Sequence, residues 1–375
     1  MRRAEYMTPT NRKIRILFVS NGLGKGGKER QIHEILTHLS EHNEFECALL
    51  LRKPEINYDL SSMHGIQLYI PNKDLNARQF VQFLNSSCRE FQPDIIHTWE
   101  SWVTNMSHLY RLGFLKKIKV IDGSLRYARS FKKNSLHYWS ARIGRMLSHR
   151  VIANSSAGLK SIDYAKPKKY HVITNAMNAK RLALAENRTL PHKPFVLSMI
   201  ASFTHAKDYN TLIAAASEMM DEGYDLQCYL IGDGKWRPQM MELVPTKHQE
   251  RFQFTGIVDD PERYLHASHV SVLLARKGHS EGYSNTIMES VAAGLPVICT
   301  NTGGNPEMVT HLKNGFLIEH ESKEQLKDAI RTLYNSPEQC REMGRQSRIL
   351  AEREFPMSRL IDDLMTTYQS LLTHG

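Results

Sequence analysis

Two glutamates eight positions apart are the residues whose types and spacing most clearly suggest chemistry. Glu281 stands just before a predicted helix and Glu289 lies inside it. Gly294 ends that helix, and Pro296 opens the next predicted strand. A carboxylate binds paired hydroxyls well, since each of its oxygens can accept one O–H. Residues 282–285 would present backbone N–H groups at the positive end of the helix, which suits a diphosphate. One segment could therefore hold a sugar, two phosphates and a ribose.

A glycine-rich loop between the first predicted strand and the first predicted helix is a second candidate for ligand binding. Residues 21–30 contain four glycines, and Gly26 and Gly27 directly precede the helix. Glycines let backbone N–H groups approach a phosphate at a helix N-terminus. Three classes of enzyme use such a loop: NTPases, dinucleotide enzymes, and enzymes that hold a sugar across a cleft between two domains.

The neighbours of this loop argue against the first class and weaken the second. A P-loop requires Ser or Thr after its lysine, but Glu29 follows Lys28. A dinucleotide enzyme usually carries an acid at the end of its second strand, where this chain has Arg52 and Lys53. Because an arginine can bind the 2′-phosphate of NADP, an NADP-dependent enzyme remains an alternative to an enzyme that holds a sugar across a cleft.

The elements that position these residues are short apolar strands alternating with amphipathic helices, in two successive halves. Such alternation predicts an α/β protein with parallel sheets covered on both faces, whose ligands bind beyond the carboxyl ends of the strands. We predict domains at 1–185 and 186–354, followed by a helical tail at 355–375. The predicted strands are Ile14–Ser20, Cys47–Leu51, Ile66–Ile70, Asp94–Thr98, Ile118–Ile121, Val151–Ala153, Tyr170–Ile173, Phe195–Ile200, Leu226–Ile231, Phe252–Thr255, Val270–Leu274, Pro296–Cys299 and Gly315–Ile318.

The segment around the two glutamates resembles glycosyltransferase family 4, whose signature is two glutamates separated by seven residues. Further stretches resemble family landmarks in the family order, at 26–30, 93–97, 151–155, 172–175, 231–234 and 302–307. The resemblance implies the GT-B fold, in which two Rossmann-like domains have parallel sheets that face each other across a cleft. The first domain would bind the acceptor, the second would bind a nucleotide sugar, and the tail would cross back to the first domain.

The resemblance also implies roles for individual residues. Glu289 would hold the donor ribose, Glu281 the transferred sugar, and Lys207 would neutralise the diphosphate. Further donor-binding positions are Gly26, Gly27, Gly256, Gly282, Tyr283, Ser284 and Asn285. The family commonly has an arginine five positions before the lysine, and Ser202 stands there in this chain, which removes one cation from the phosphate site.

The resemblance further implies that the configuration at the sugar is retained, without metal or cofactor. The sequence contains no D-x-D, so the metal-bridged diphosphate site of the other main transferase fold is not expected. The donor would be a UDP-sugar, and the acceptor a glycan or a lipid-linked molecule in cell-envelope polysaccharide or glycolipid biosynthesis. A nucleotide-sugar 2-epimerase on the same fold is an alternative.

His97, at the end of a predicted strand, is expected to point into the cleft as the catalytic candidate of the first domain. A structural histidine at the strand end is the alternative. Family members often have another cleft histidine near the end of the next strand, but this chain has residues 121–126 there, without histidine. Arg126 could instead bind an anionic donor or acceptor.

The net charge of +10 is concentrated in one segment, because residues 107–150 hold eleven Lys and Arg against a single acid and the rest of the chain is balanced. Within it, Leu136, Trp139, Ile143 and Met146 recur at helical spacing. A basic amphipathic helix suits an anionic membrane surface. Packing of the apolar stripe against the first sheet is the competing interpretation, and a basic nucleic-acid-binding protein is a further alternative that lacks any reader motif.

The expected location is the cytoplasm, peripherally on the inner face of the cell membrane. Five scattered cysteines without a C-x-x-C pattern predict reduced thiols. We find no apolar run near the roughly 20 residues of a membrane span and no signal-peptide pattern.

Overall fold

Two parallel sheets organise the chain, and all of the predicted strands are present with small shifts at their ends. The computed structural model describes residues 12–24, 26–114, 117–128, 135–162, 167–179, 181 and 193–373. The strands are β1 (Ile14–Ser20), β2 (Phe45–Leu51), β3 (Gln67–Tyr69), β4 (Ile95–Thr98), β5 (Lys119–Leu125), β6 (Arg150–Ala153), β7 (Tyr170–Val172), β8 (Phe195–Ile200), β9 (Leu226–Ile231), β10 (Phe252–Gly256), β11 (Val270–Leu273), β12 (Val297–Thr300) and β13 (Gly315–Ile318).

The first sheet has the strand order β3-β2-β1-β4-β5-β6-β7 and the second has β10-β9-β8-β11-β12-β13, with parallel pairing within both sheets. Helices connect the strands. They are α1 (Gly27–Leu39), α2 (Ala77–Phe91), α3 (Ser101–Phe114), α4 (Leu136–Leu147), α5 (Ser156–Lys160), α6 (Tyr209–Asp221), α7 (Arg237–Glu242), α8 (Glu262–His266), α9 (Asn285–Ala292), α10 (Lys323–Asn335), α11 (Pro337–Glu354) and α12 (Met357–Thr373). The predicted α/β class is confirmed.

Strand β1 shows why these strands are apolar on both sides. Ile16 and Phe18 pack with α1 and α12 on one face of the first sheet, while Leu17 and Val19 pack with α2 and α3 on the other. A parallel sheet with both faces covered buries every side chain, which produces a continuous apolar run instead of alternation.

The last helix, α12, packs on the first half of the chain. Leu360, Leu364 and Tyr368 belong to the core of the first sheet. The chain passes between the halves near Met177 and again near Phe355, where the Met177 N–H donates to the Phe355 carbonyl at 2.8 Å. The predicted boundary at 185/186 lies outside the described residues.

Helix α4 carries the predicted apolar stripe on its exposed side. The exposed fractions are 90% for Leu136, 51% for Trp139, 49% for Ile143 and 66% for Met146. The interpretation that this stripe packs against the first sheet is therefore wrong. Among the described helices, none has the length and apolar character to cross a membrane.

Candidate active site between the two sheets

A cavity of about 750 Å³ lies between the two halves, where the loops after the strands meet. Its walls include the glycine loop before α1 and the loop before α9, which are the two segments that the sequence singled out. The lining residues include, from the first half, Gly27, Lys28, Trp99, Glu100, Arg126, Arg145, Asn154 and Asn175, and from the second half, Ser202, Glu281, Gly282, Tyr283, Ser284 and Asn285.

Gly27 and Asn285 meet across this cavity. A Cβ atom added to Gly27 would lie 2.0 Å from Asn285 Nδ2, so no larger residue fits without movement of the facing amide. Asn175 links the halves at the same place, because its Nδ2 donates to Asn285 Oδ1 at 2.8 Å and to the Tyr283 carbonyl at 3.3 Å. The glycine loop and the start of α9 are thus held in direct contact.

The start of α9 offers several polar groups to a ligand. Ser284 precedes the helix in extended conformation, and the backbone N–H groups of residues 283–286 donate no hydrogen bond to another described group. Ser284 Oγ and Asn154 Oδ1 are buried without a hydrogen-bond partner among the described residues, and both residues line the cavity. Unpartnered buried polar atoms are rare and costly, and several N–H donors at the positive end of a helix suit an anion.

Lys207 lies directly behind Glu281. Its Nζ contacts Glu281 Oε1, and the lysine is largely buried whereas the glutamate lines the cavity. Burial lowers the pKa of Lys207 to about 8. Gly303 packs against the backbone of Glu281, because a Cβ there would lie 2.2 Å from the Glu281 carbonyl oxygen. A cation and a carboxylate therefore stand together at the second-half wall of the cavity.

Glu289 is 5% exposed and is held by two arginines. Arg30 Nη1, from α1, lies 2.5 Å from Glu289 Oε1, and Arg181 Nη2 lies 2.7 Å from the same oxygen. Arg181 also pairs with Glu34 at 3.3 Å and with Glu262 at 2.9 Å. Burial lowers the pKa of Arg181, but the three carboxylates outweigh burial and the pKa is raised. Glu289 does not line the cavity in this arrangement.

The cations of the first half differ in whether a carboxylate neutralises them. Lys28 contacts Glu100 and lies 3.0 Å from Glu29, so this lysine is not a free phosphate ligand and the P-loop interpretation gains no support. Arg126 donates to the Gly123 carbonyl and to Asn175 Oδ1. Its guanidinium stacks over Trp99 at 4.1 Å.

Neither Arg126 nor Arg145 makes an ion pair with a carboxylate among the described residues, although both line the cavity. Burial lowers the pKa of Arg126 to about 10, and the nearby Glu100 and Asp122 oppose that shift. Cations without a carboxylate partner at the wall of a cavity are suited to an anionic ligand.

The expectation that His97 points into the cleft is wrong. Its side chain is buried within the first half, with Nδ1 at 2.8 Å from the Tyr368 hydroxyl and the ring stacked on Trp99. Burial and the charge of Arg126 lower the pKa of His97 to about 3. A neutral, enclosed imidazole of this kind fits the alternative, a structural histidine at a strand end.

Two further predicted glycines, Gly26 and Gly256, do not line the cavity. Gly26 directly precedes α1, and its carbonyl accepts from the Tyr58 hydroxyl at 3.1 Å. Gly256 ends β10 with a φ of +73°, a left-handed conformation that favours glycine, and its carbonyl accepts from the Gly232 N–H. Gly282 does line the cavity, and a Cβ there would lie 2.3 Å from Asn154 Oδ1.

Sequence reasoning left several site residues without a role. Asn154 and Asn175 stand within quoted landmarks, directly after β6 and shortly after β7, and their strand-end position could have marked them as cleft residues. Arg145 was counted only as part of the basic segment. Arg181 carried no signal, because its partners come from distant parts of the sequence.

Within the described part of the chain, no group of three or more His, Cys, Asp and Glu side chains could hold a metal ion.

Residues 181–349 match the model of the family described as "Glycosyl transferases group 1". Among curated proteins, the chain is 28% identical over 178 residues to an N-acetyl-alpha-D-glucosaminyl L-malate synthase of Bacillus anthracis, covering 47% of this chain and 46% of that protein. The chain spans about half the length or less of the first curated relatives that it matches.

A longer match joins the chain to a Campylobacter jejuni N-acetylgalactosamine-N,N'-diacetylbacillosaminyl-diphospho-undecaprenol 4-alpha-N-acetylgalactosaminyltransferase, at 20% identity over 330 residues, or 83% of this chain and 87% of that protein.

Solved structures match the whole architecture. A glycosyltransferase from Rickettsia africae superposes with a TM-score of 0.80 at 17% identity, covering 97% of this chain and all of that one. Anabaena HepE in complex with UDP and glucose gives a TM-score of 0.75 at 16% identity, covering 95% of this chain and all of that one. The chain therefore has the GT-B glycosyltransferase fold, and its residues 181–349 match the group 1 glycosyl transferase family.

Proposed function

We propose that this protein is a family 4 glycosyltransferase of the hexosyltransferase type. It transfers a sugar from a nucleotide diphosphate donor, a UDP-sugar, to a glycan or lipid-linked acceptor in cell-envelope polysaccharide or glycolipid biosynthesis. The observation that carries the proposal is the cavity in which the start of α9, with Glu281 and Lys207 beside it, faces the glycine loop of the other half.

The donor would lie with its diphosphate at the start of α9. The unpaired N–H groups of residues 283–286 and the hydroxyl of Ser284 would hold the phosphate oxygens, and Lys207 would stabilise the charge that develops as the nucleoside diphosphate leaves. Fixed donors of this kind supply electrostatic catalysis without a metal or cofactor, and we propose that none is used. Glu281 would hold the transferred sugar, whose configuration is retained.

Glu289 would hold the donor ribose. Since Arg30 and Arg181 already occupy Oε1, the ribose hydroxyls would approach Oε2 or displace one guanidinium. The two arginines would hold the carboxylate in place for the ribose.

The acceptor side of the proposal rests on different features. Arg126 and Arg145 would face an acceptor that carries negative charge, and the Campylobacter relative is named for a diphospho-undecaprenol acceptor.

We also propose a cytoplasmic location, because all five cysteines are free thiols and free thiols persist in a reducing compartment.

A thermal-shift panel of UDP-, GDP- and ADP-sugars tests the donor. A sugar nucleotide that binds the folded state raises the melting temperature, and we expect Glu289→Gln and Lys207→Met to lose that increase. Glu338→Gln, on the exposed surface of α11, serves as the matched control and should keep it. Absence of any increase across the panel for the wild-type protein would refute the proposal.

Incubation of the donor that binds, with no acceptor present, separates transfer from epimerisation. An epimerase converts the nucleotide sugar alone, whereas a transferase leaves it intact apart from slow hydrolysis. Formation of the 2-epimer at a rate comparable with turnover would replace the transferase proposal.

A further inference from the structure

The exposed stripe on α4 is an unusual feature of the surface. Leu136, Trp139, Ile143 and Met146 are separated by three or four positions, so they share one face of the helix. All four are about half exposed or more, and Leu109 and Tyr127, each 57% exposed, lie on adjoining segments of the same half. Contiguous exposed apolar side chains of this kind mark interaction surfaces in soluble proteins.

The charges around the stripe are positive. Arg142 Cζ lies 5.8 Å from the centre of the Trp139 ring, and Lys169 Nζ donates to the Met146 carbonyl at 2.8 Å. Helix α4 contains no acid, and the single acid of residues 107–150, Asp122, is buried and accepts from the Ser124 N–H. Lys132 and Lys133, which precede the helix, lie outside the described residues.

The opposite side of α4 lines the cleft. His137, Ala141 and Arg145 contribute to the cavity wall, whereas the stripe faces outward. One helix of 12 residues therefore separates the proposed active site from an apolar and basic surface. Whatever binds the stripe is brought within one helix diameter, about 10 Å, of the cavity.

We infer that this stripe docks the protein on an anionic lipid bilayer, with α4 lying in the plane of the interface. Trp and aliphatic side chains would enter the boundary between head groups and acyl chains, while Arg142 and Lys169 contact anionic head groups. A protein partner is less well matched, because α4 contains no acid and the only acid of residues 107–150, Asp122, is buried, so these residues complement negative charge. This placement would also bring a lipid-linked acceptor to the cleft, a consequence that rests on the proposed function.

Flotation of the full chain with vesicles tests the inference. The probes are vesicles of phosphatidylcholine alone and of phosphatidylcholine with about one third phosphatidylglycerol, at low and high salt. We expect binding to the mixed vesicles at low salt, and at least roughly tenfold weaker binding for the double variant Trp139→Ser/Ile143→Ser. The matched control is Met241→Ser/Leu243→Ser, which removes two side chains of similar exposure (45% and 49%) from the second half and should bind as wild type does.

Three outcomes would overturn the inference: no flotation of the wild-type chain, equal loss in both double variants, or self-association or oligonucleotide binding that depends on Trp139 and Ile143 while flotation does not. Since flotation uses no nucleotide sugar and the thermal-shift panel uses no lipid, failure of one proposal is distinguishable from failure of the other. Circular dichroism of both variants verifies that the exposed substitutions leave the fold intact.

Discussion

Arg181, from the segment that joins the two halves, donates to the same oxygen of Glu289 that accepts a hydrogen bond from Arg30 of α1. A single carboxylate thereby fixes the first half, the connecting segment and the second half relative to one another. Because the proposed ribose ligand is also this carboxylate, the geometry of the cleft and the binding of the donor depend on the same atoms.

Replacement of Arg181 by methionine should destabilise the protein strongly. The substitution leaves Glu34, Glu262 and Glu289 without this counter-ion where each carboxylate is at most 20% exposed. Removing one partner of a buried ion pair typically costs about 3–5 kcal/mol, so urea denaturation should show a lower midpoint with an unchanged m-value. The matched change Arg345→Met removes an exposed arginine paired with Glu342 and should have no measurable effect. Equal midpoints for the two variants would contradict the assignment of Arg181 as an anchor.

The pH dependence of donor binding should follow Lys207. Its pKa is lowered to about 8 from the usual 10.5, so the ammonium is present below pH 8 and is lost as the pH rises through that value. If it holds the diphosphate, the Kd for UDP measured by calorimetry should increase by up to about tenfold per pH unit above 8. Lys207→Arg should flatten this dependence, since a guanidinium stays charged. The same slope in Lys207→Met would assign the titration to another group.

The sequence predicted the strands and the two ligand loops because those features depend on local patterns. The helix expected to contain Glu289 and the helical tail expected at 355–375 both occur, as α9 and α12. Glu281 and the start of α9 could be located from the sequence because two residues mark the end of the segment. Gly294, with a φ of +69°, follows the helix, and Pro296 precedes the next strand. Continuous apolar runs identify buried parallel strands for the same local reason.

Long-range contacts decide the features that could not be predicted. The orientation of His97 depends on Tyr368, which is 271 positions away and reaches it only because α12 folds back on the first sheet. The three carboxylates around Arg181 are similarly drawn from α1, α8 and α9. Strand periodicity gives the face that a side chain occupies, but it does not reveal which distant element covers that face.

Gly27→Ala should strain the contact between the halves. The added methyl group would lie 2.0 Å from Asn285 Nδ2, and overpacking of this kind typically costs about 1–3 kcal/mol. Asn285→Ala removes the obstructing amide and also the hydrogen bond from Asn175, so by itself it should cost about 1 kcal/mol. In a double-mutant cycle measured by urea denaturation, the double variant should be more stable than the sum of the single changes predicts. Strict additivity would show that the two residues are not in contact in solution.

Inorganic diphosphate should stabilise the protein through Arg126. This guanidinium lines the cavity, stacks on Trp99 and has no carboxylate partner among the described residues, so a small polyanion can bind it without displacing a salt bridge. We expect millimolar diphosphate to raise the melting temperature of the wild-type protein through the start of α9 and Arg126 together, and to raise that of Arg126→Gln by a smaller amount. Arg52→Gln is the matched control, because Arg52 also stacks on a tryptophan, Trp102 at 4.6 Å, but does not line the cavity. If both variants lose the increase equally, the effect reflects general stacking or surface charge, and Arg126 is not an anion ligand.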